Sequence, residues 1–320
     1  MDNFGYIDRL KCRSEMLQKA RQFFFEREIL EVDCPMITKK ASIDAHIDLI
    51  EVEVCNDEIR YLHTSPEYCM KRLLADGMGD IYQLNHVFRK GEFSQKHNPE
   101  FTMAEWYRLG FSFQQMIDET LDFIKLFLGN IPHQIISYKE AFIQYTGLDY
   151  TKATDDQLLE FIEKQGLIPY SGIKEEGTDA ILNLILGSFI EPHLGKNNLQ
   201  VLAYYPASQA ALAKTCLRDG ENVAERFEIY YKAIELCNGY HELGNNLGDA
   251  LEQKHRFDES NLFRNKMGKK MYPIDDEFLK ALEKGLPNCC GVAVGFDRLL
   301  MLQQKCKTLS EILPFDWTSA

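Results

Sequence analysis

Residues 88–107 read FRKGEFSQKHNPEFTMAEWY, with Arg89, Lys90, Glu92, Lys96, His97, Glu100 and Glu105 set among Phe88, Phe93, Phe101, Trp106 and Tyr107. A buried core strand has no use for so many charges, and a solvated loop has no use for so many rings. Two strands, 80–89 and 100–108, around a long polar loop satisfy both demands. In an extended 100–108, Phe101, Met103, Glu105 and Tyr107 share one face, apolar at one end and polar at the other. A carboxylate beside a phenol can seat an ammonium group, and the ring at the other end can stack a base. The plainer reading puts Phe101 and Met103 in the core and pairs Glu105 with an arginine.

Around this pair the hydrophobic period switches without a βαβ rhythm. Met16, Leu17, Ala20, Phe23 and Phe24 form the stripe of an amphipathic helix over 14–27. LEVDCP is extended and stops at Pro35, and Ile50, Val52 and Val54 alternate with glutamates as in a half-buried strand. Ser65 and Pro66 open a helix to about Asp76, Ser as N-cap and Pro in the first turn. Ser112 with Gln115 makes a capping box for a helix that ends near Gly129. Further helices are expected at 139–146, 154–165, 178–190, 249–267 and 275–284, and strand character at 201–205 and 225–238. GVAVGFDRLLML supplies a last Gly-rich strand and helix. This order predicts an α+β fold with a mainly antiparallel sheet flanked by helices. It reads as a single domain, 1–320, with a helical insert at about 139–195.

The charge balance narrows the partners. The 36 basic and 49 acidic residues give a net charge of −13, which repels nucleic acid on average. Nine cysteines without a C-x-x-C pair read as reduced, mostly buried thiols of a cytosolic protein, and no zinc spacing joins them to the histidines. MDNFGYIDRLKCR is too charged for a signal peptide, and no apolar run approaches a membrane span.

Two further constellations could carry chemistry. In ERFEIYYKAIELCNGYHEL, residues 225–243, a two-residue turn at 231–232 would set Glu228 opposite Glu235. Like charges so placed destabilise a sheet unless a hard cation sits between them, and Mg²⁺ suits oxygen ligands with phosphate. Tyr231-Lys232 is not a favoured turn pair, and with the turn elsewhere both glutamates are simply solvated. Arg89 ends one strand and Arg298 opens the last helix, after Gly291 and Gly295, and guanidinium groups are natural phosphate clamps. Taken alone, each arginine is more often a surface ion pair. His97 reads as a structural hydrogen-bonding residue.

Together the segments resemble a known family. LEVDCP is similar to motif 1 of the class II aminoacyl-tRNA synthetases, FRKGE with HNPEFTMAEWY to motif 2, and GVAVGFDRLLML to motif 3. TSPEYCMKRLL, HNPEFTM and the NGYHEL segment are specifically similar to the lysyl branch. Motif 1 ends at Pro35, leaving no room before it for the anticodon-binding barrel of lysyl-tRNA synthetases. That arrangement resembles the elongation factor P–lysine ligases, in which Ser65 and Ala293 also stand where the synthetases have Ala and Gly.

The resemblance implies an enzyme that activates (R)-β-lysine or lysine with ATP and Mg²⁺ and transfers it to a lysine of elongation factor P. It implies catalytic roles for Arg89 and Arg298 on the α- and γ-phosphates. ATP would meet Arg89, Lys90, Gly91, Asn98, Phe101, Glu228, Glu242, Leu243, Gly295 and Arg298, with adenine stacked on Phe101. The amino acid would meet Ser65, Pro66, Glu67, Glu105, Tyr107, Glu242 and Ala293, its distal ammonium on Glu105, Tyr107 and Glu242. Glu228 and Glu235 would carry Mg²⁺. A cytoplasmic homodimer without a stable tRNA complex is also implied. The chain departs from the family at Gly91, where motif 2 carries a glutamate, and in a longer loop after Leu243. Two alternatives remain: an adenylate-forming enzyme with another acceptor, and a non-catalytic synthetase-like regulatory protein.

Overall fold

The computed structural model describes residues 5–55, 58–244 and 247–320. Its elements run α1 (Tyr6–Phe25), β1 (Leu30–Glu31), β2 (Ile37–Thr38), β3 (Ile50–Cys55), β4 (Glu58–Leu62), α2 (Glu67–Ala75), β5 (Ile81–Phe88), β6 (Glu100–Leu109), α3 (Phe113–Leu128), β7 (His133–Ser137), α4 (Tyr138–Thr146), α5 (Asp155–Lys164), α6 (Ile173–Glu176), α7 (Thr178–Ile185), β8 (Leu199–Pro206), β9 (Thr215–Arg218), β10 (Glu221–Tyr231), β11 (Ile234–His241), α8 (Leu247–Lys266), α9 (Asp276–Gly285), β12 (Cys289–Gly295) and α10 (Phe296–Gln303). The chain groups into two compact units, one of Met1–Asn130 with Glu242–Ala320, the other of Ile131–His241.

In the first unit the strands lie in the order β1-β5-β6-β12. β5, β6 and β12 are antiparallel, and only the two-residue β1 is parallel to its neighbour. The core of this unit follows from the stripe on α1. Met16, Ala20, Phe23 and Phe24 are buried on one side of that helix. Phe24 stacks on Tyr82 with ring centroids 4.1 Å apart and meets Trp106 edge-on at 5.3 Å. Phe123 of α3 closes the cluster, 5.1 Å from Trp106. The Ser112–Gln115 capping box forms, and Gly129 ends α3 with a positive φ of 87°.

A separate three-stranded sheet, β2-β4-β3, is antiparallel. Here the structure differs from the alternation in the sequence, because Val54 is exposed rather than half-buried. The alternation holds at Ile50 and Val52, which are half-buried, and fails toward the end of the strand at Val54.

In the second unit β11-β10-β8-β7 form the sheet, with β9 paired to β10. β7 runs parallel to β8, and the other pairs are antiparallel. Helices α4–α7 supply most of residues 138–185, and Tyr138, Phe142, Leu158, Ile162 and Ile181 are buried in one apolar cluster with Leu202 and Tyr205. The strand character at 225–238 resolves into the β10–β11 hairpin. β7 and β9 were not legible as strands. Four cysteines are buried, four are half-buried and Cys55 is exposed, so the thiols are less uniformly interior than the sequence suggested. No described helix is long and apolar enough to cross a membrane.

Candidate active site

The first unit holds a buried cluster of polar side chains built around β6. Alternation along β6 puts Met103, Glu105 and Tyr107 on one face, and the ladder sets Ala293 opposite Glu105 and Gly291 opposite Tyr107. Glu105 is buried, and its two oxygens accept hydrogen bonds from Ser65 Oγ at 2.7 Å and Tyr107 Oη at 2.8 Å. The N-cap of α2 is Pro66 rather than Ser65. Ser65 stands one residue earlier, where its hydroxyl accepts from the Glu67 amide at 3.0 Å while it donates to Glu105. Gly291 is required for space. A Cβ there would collide with the Tyr107 ring and lie 2.5 Å from Glu242 Oε1.

The sequence did not reveal a lysine here. Lys71 is 1% exposed, and its Nζ lies 2.6 Å from both Glu67 Oε1 and Glu242 Oε2. A signal existed. Lys71 lies four residues after Glu67 and one after Met70 on the inward stripe of α2, where a solvated lysine would not belong. Burial, and then the charge of Glu67, push the Glu105 carboxyl up to about 8 against the pull of Ser65, Tyr107 and Lys71. Burial and Glu105 push the Tyr107 phenol well above its ordinary range. Burial works against the Lys71 ammonium, but Glu242 and Glu67 outweigh it and raise its pKa.

At the other end of the same β6 face stands Phe101. Four residues of extended chain separate it from Glu105, about 14 Å. The Arg89 guanidinium lies 5.1 Å from the Phe101 ring centroid, and its buried Nε has no hydrogen-bond partner. Arg298 Nη2 is 2.7 Å from His97 Nε2, and His97 Nδ1 is 2.8 Å from Ser94 Oγ. Burial and the neighbouring Arg298 lower the His97 pKa, which favours a neutral ring that accepts from Arg298. His97 therefore orients a guanidinium, the structural role its sequence context suggested. Asp297, beside Arg298, is fixed by Arg13 and by the Thr102 amide at 2.8 Å.

The remaining expected nucleotide residues are placed as follows. Gly91 turns with φ 80°, Lys90 is exposed with its amide on the Asp48 carbonyl, and Gly295 is the N-cap of α10. Glu92 reaches back to 3.8 Å from Arg89 Nη1. Leu243 is buried. Asn98 is committed to the fold: its Nδ2 donates to the Glu100 carbonyl at 2.7 Å and its Oδ1 accepts from the Trp317 amide at 3.0 Å. The long loop after Leu243 includes Asn245 and Asn246, which lie outside the described residues; the chain is helical again from Leu247.

In the second unit the expected opposition of Glu228 and Glu235 does not occur. The turn falls at Lys232-Ala233, Tyr231 faces Ile234, and Tyr230 faces Glu235. An extra residue on β11 then sets Glu228 opposite Asn238. The turn sits one residue later because Lys232 and Ala233 take left-handed conformations, their amides donating to the carbonyls of Gly195 and Leu194. Glu228 accepts from Arg226 Nη2 at 2.6 Å and Tyr230 Oη at 2.5 Å. Among the described residues no group of three or more His, Cys, Asp or Glu is placed to hold a metal.

Comparison with known proteins extends this picture. The profile of the tRNA synthetases class II (D, K and N) matches residues 2–319. The chain is 40% identical over 314 residues to the elongation factor P–(R)-beta-lysine ligase of Pasteurella multocida strain Pm70, covering 97% of this chain and 95% of that protein. The protein of the same name from Haemophilus influenzae is 40% identical over 308 residues, covering 95% and 93%. That from Hamiltonella defensa is 39% identical over 314 residues, covering 97% and 95%.

Proposed function

Because the chain belongs to the class II tRNA synthetases (D, K and N), we propose that it is an ATP-dependent, AMP-forming ligase. It activates (R)-β-lysine, or lysine, as an adenylate and transfers it to a lysine side chain of elongation factor P. The relatives bearing that name, at about 40% identity over nearly the whole chain, support the reading. The observation that carries it is the Glu105 carboxylate, buried between Ser65 and Tyr107 at one end of a strand face whose other end holds Phe101 and Arg89. Such a face can seat an ammonium at one end and a nucleotide at the other.

The chemistry needs no protein nucleophile. The substrate carboxylate attacks the α-phosphorus of ATP in line, the bond to the β-phosphate bridging oxygen breaks, and pyrophosphate leaves. Arg89 stabilises charge developing on the α-phosphate, and Arg298, oriented by His97, holds the γ-phosphate. Mg²⁺ on Glu228 and Glu235 would neutralise phosphate charge. The neutral amine of the acceptor lysine then attacks the adenylate carbonyl, AMP leaves, and the amine gives up a proton. Catalysis is positioning and electrostatics.

The same reading places the enzyme in the cytoplasm as a homodimer that makes no stable tRNA complex. The test is amino-acid-dependent ATP–pyrophosphate exchange with Mg²⁺, without tRNA or protein acceptor, comparing (R)-β-lysine, L-lysine and L-arginine. Exchange strongest with (R)-β-lysine is expected. Silence with both lysines would overturn the reading.

A further inference from the structure

We propose that Lys71 is the resident cation of the amino-acid pocket, a positioning residue that engages Glu67 and Glu242 so that Glu105 with Tyr107 remains as the seat for one ligand ammonium. This rests on the reading of the pocket as a diamino-acid site. Three carboxylates converge here: Glu67 from the same helix, Glu105 from β6, and Glu242 from the segment after β11. Lys71 Nζ is within 2.6 Å of two of them and 6.0 Å from the Tyr107 ring centroid. The third carboxylate, Glu105, accepts instead from two neutral hydroxyls.

That division decides what the pocket can take. Without Lys71, Glu67 and Glu242 would each lose the ammonium that lies 2.6 Å away, and removing one member of such a buried ion pair is costly. With Lys71 in place, its single charge is shared between Glu67 and Glu242, and Glu105, which accepts from two hydroxyls, is left to meet a ligand ammonium. The collision that a Cβ on Gly291 would make with both Tyr107 and Glu242 shows how tightly these groups are held. Lys71 thus holds Glu67 and Glu242 in position beside the Glu105 seat.

The test uses Lys71→Ala and the near-isosteric Lys71→Met in the full chain. Lys71→Ala removes the atoms of a propylammonium from a buried position, so propylammonium chloride should raise its melting temperature by filling the space left. The same salt should leave the wild type unmoved, and neutral propanol should not substitute. In pyrophosphate exchange, Lys71→Met should raise the diamino-acid KM by roughly 100-fold at neutral pH, the loss expected when one partner of a buried pair is removed. Its kcat should change far less.

A KM unchanged in Lys71→Met would overturn the proposal and leave Lys71 a packing residue. So would a Lys71→Ala protein whose melting ignores propylammonium. If Lys71→Ala folds only with the amine present, that dependence is the expected result. If the wild type exchanges with no diamino acid, the functional reading fails. The melting experiment, which needs no turnover, still decides whether a cation resides at position 71.

Discussion

Glu105 carries a pH dependence whose sign follows from its surroundings. Burial, and then the charge of Glu67, push its carboxyl up to about 8, and an arriving ammonium favours the ionised form. Diamino-acid binding should therefore release a proton below pH 8, and affinity should rise with pH up to that point. Calorimetry in buffers of different ionisation enthalpy measures the proton directly; pH-independent binding from 6 to 8 would refute this. The same shift makes the folded, unliganded protein bind more protons than the unfolded chain between the ordinary glutamate value and 8. This group's contribution to stability accordingly falls as pH rises through that window. Gly291→Ala forces a methyl against Tyr107 and Glu242, and overpacking of this kind costs about 1–3 kcal/mol. Its expected signature is a higher diamino-acid KM with the ATP KM little altered. The Glu105–Tyr107 face was legible in the sequence because strand alternation alone sets it. Lys71 was not, because a lysine is read as solvated until its place on the inward stripe of α2 is weighed.

At the level of elements, the β10–β11 hairpin shows where local rules give way. A two-residue turn with both residues left-handed ordinarily calls for Asn-Gly, and Lys232-Ala233 offers neither. What holds it is tertiary: the carbonyls of Leu194 and Gly195 accept from the Lys232 and Ala233 amides, at a place where any Cβ on Gly195 would collide with the Tyr230 carbonyl. The sequence around the turn could not reveal a partner some forty residues away. Ala233 pays for a conformation that glycine adopts readily, so Ala233→Gly should stabilise the protein by up to about 1 kcal/mol in denaturant melts. A clear loss of stability would show that the turn is not strained. By contrast, the α3 capping box and its Gly129 terminus were readable to the residue, since both are local hydrogen-bond devices.

Across the molecule, the fold class was legible because helices and strands alternate without βαβ order, and the mainly antiparallel ladders bear this out. The long-range pins were not. Arg13 on α1 pairs with Asp297 at the start of α10 and donates to Thr102 Oγ1 of β6 at 2.7 Å. The Asp297 side chain is 2% exposed, so Arg13→Met would leave a buried carboxylate without its cation, at a cost of about 3–5 kcal/mol. A melting temperature unchanged in that variant would show that the pair is not needed for stability.

The first unit is discontinuous in sequence, and this fixes an order of events during synthesis. Glu105, Tyr107 and Lys71 leave the ribosome early, whereas Glu242 and Gly291 follow only after all of Ile131–His241 has been made. The second unit can close its own sheet while β6 still lacks β12 as a neighbour. Until then Lys71 has one carboxylate partner instead of two, and the nascent chain carries half of a pocket.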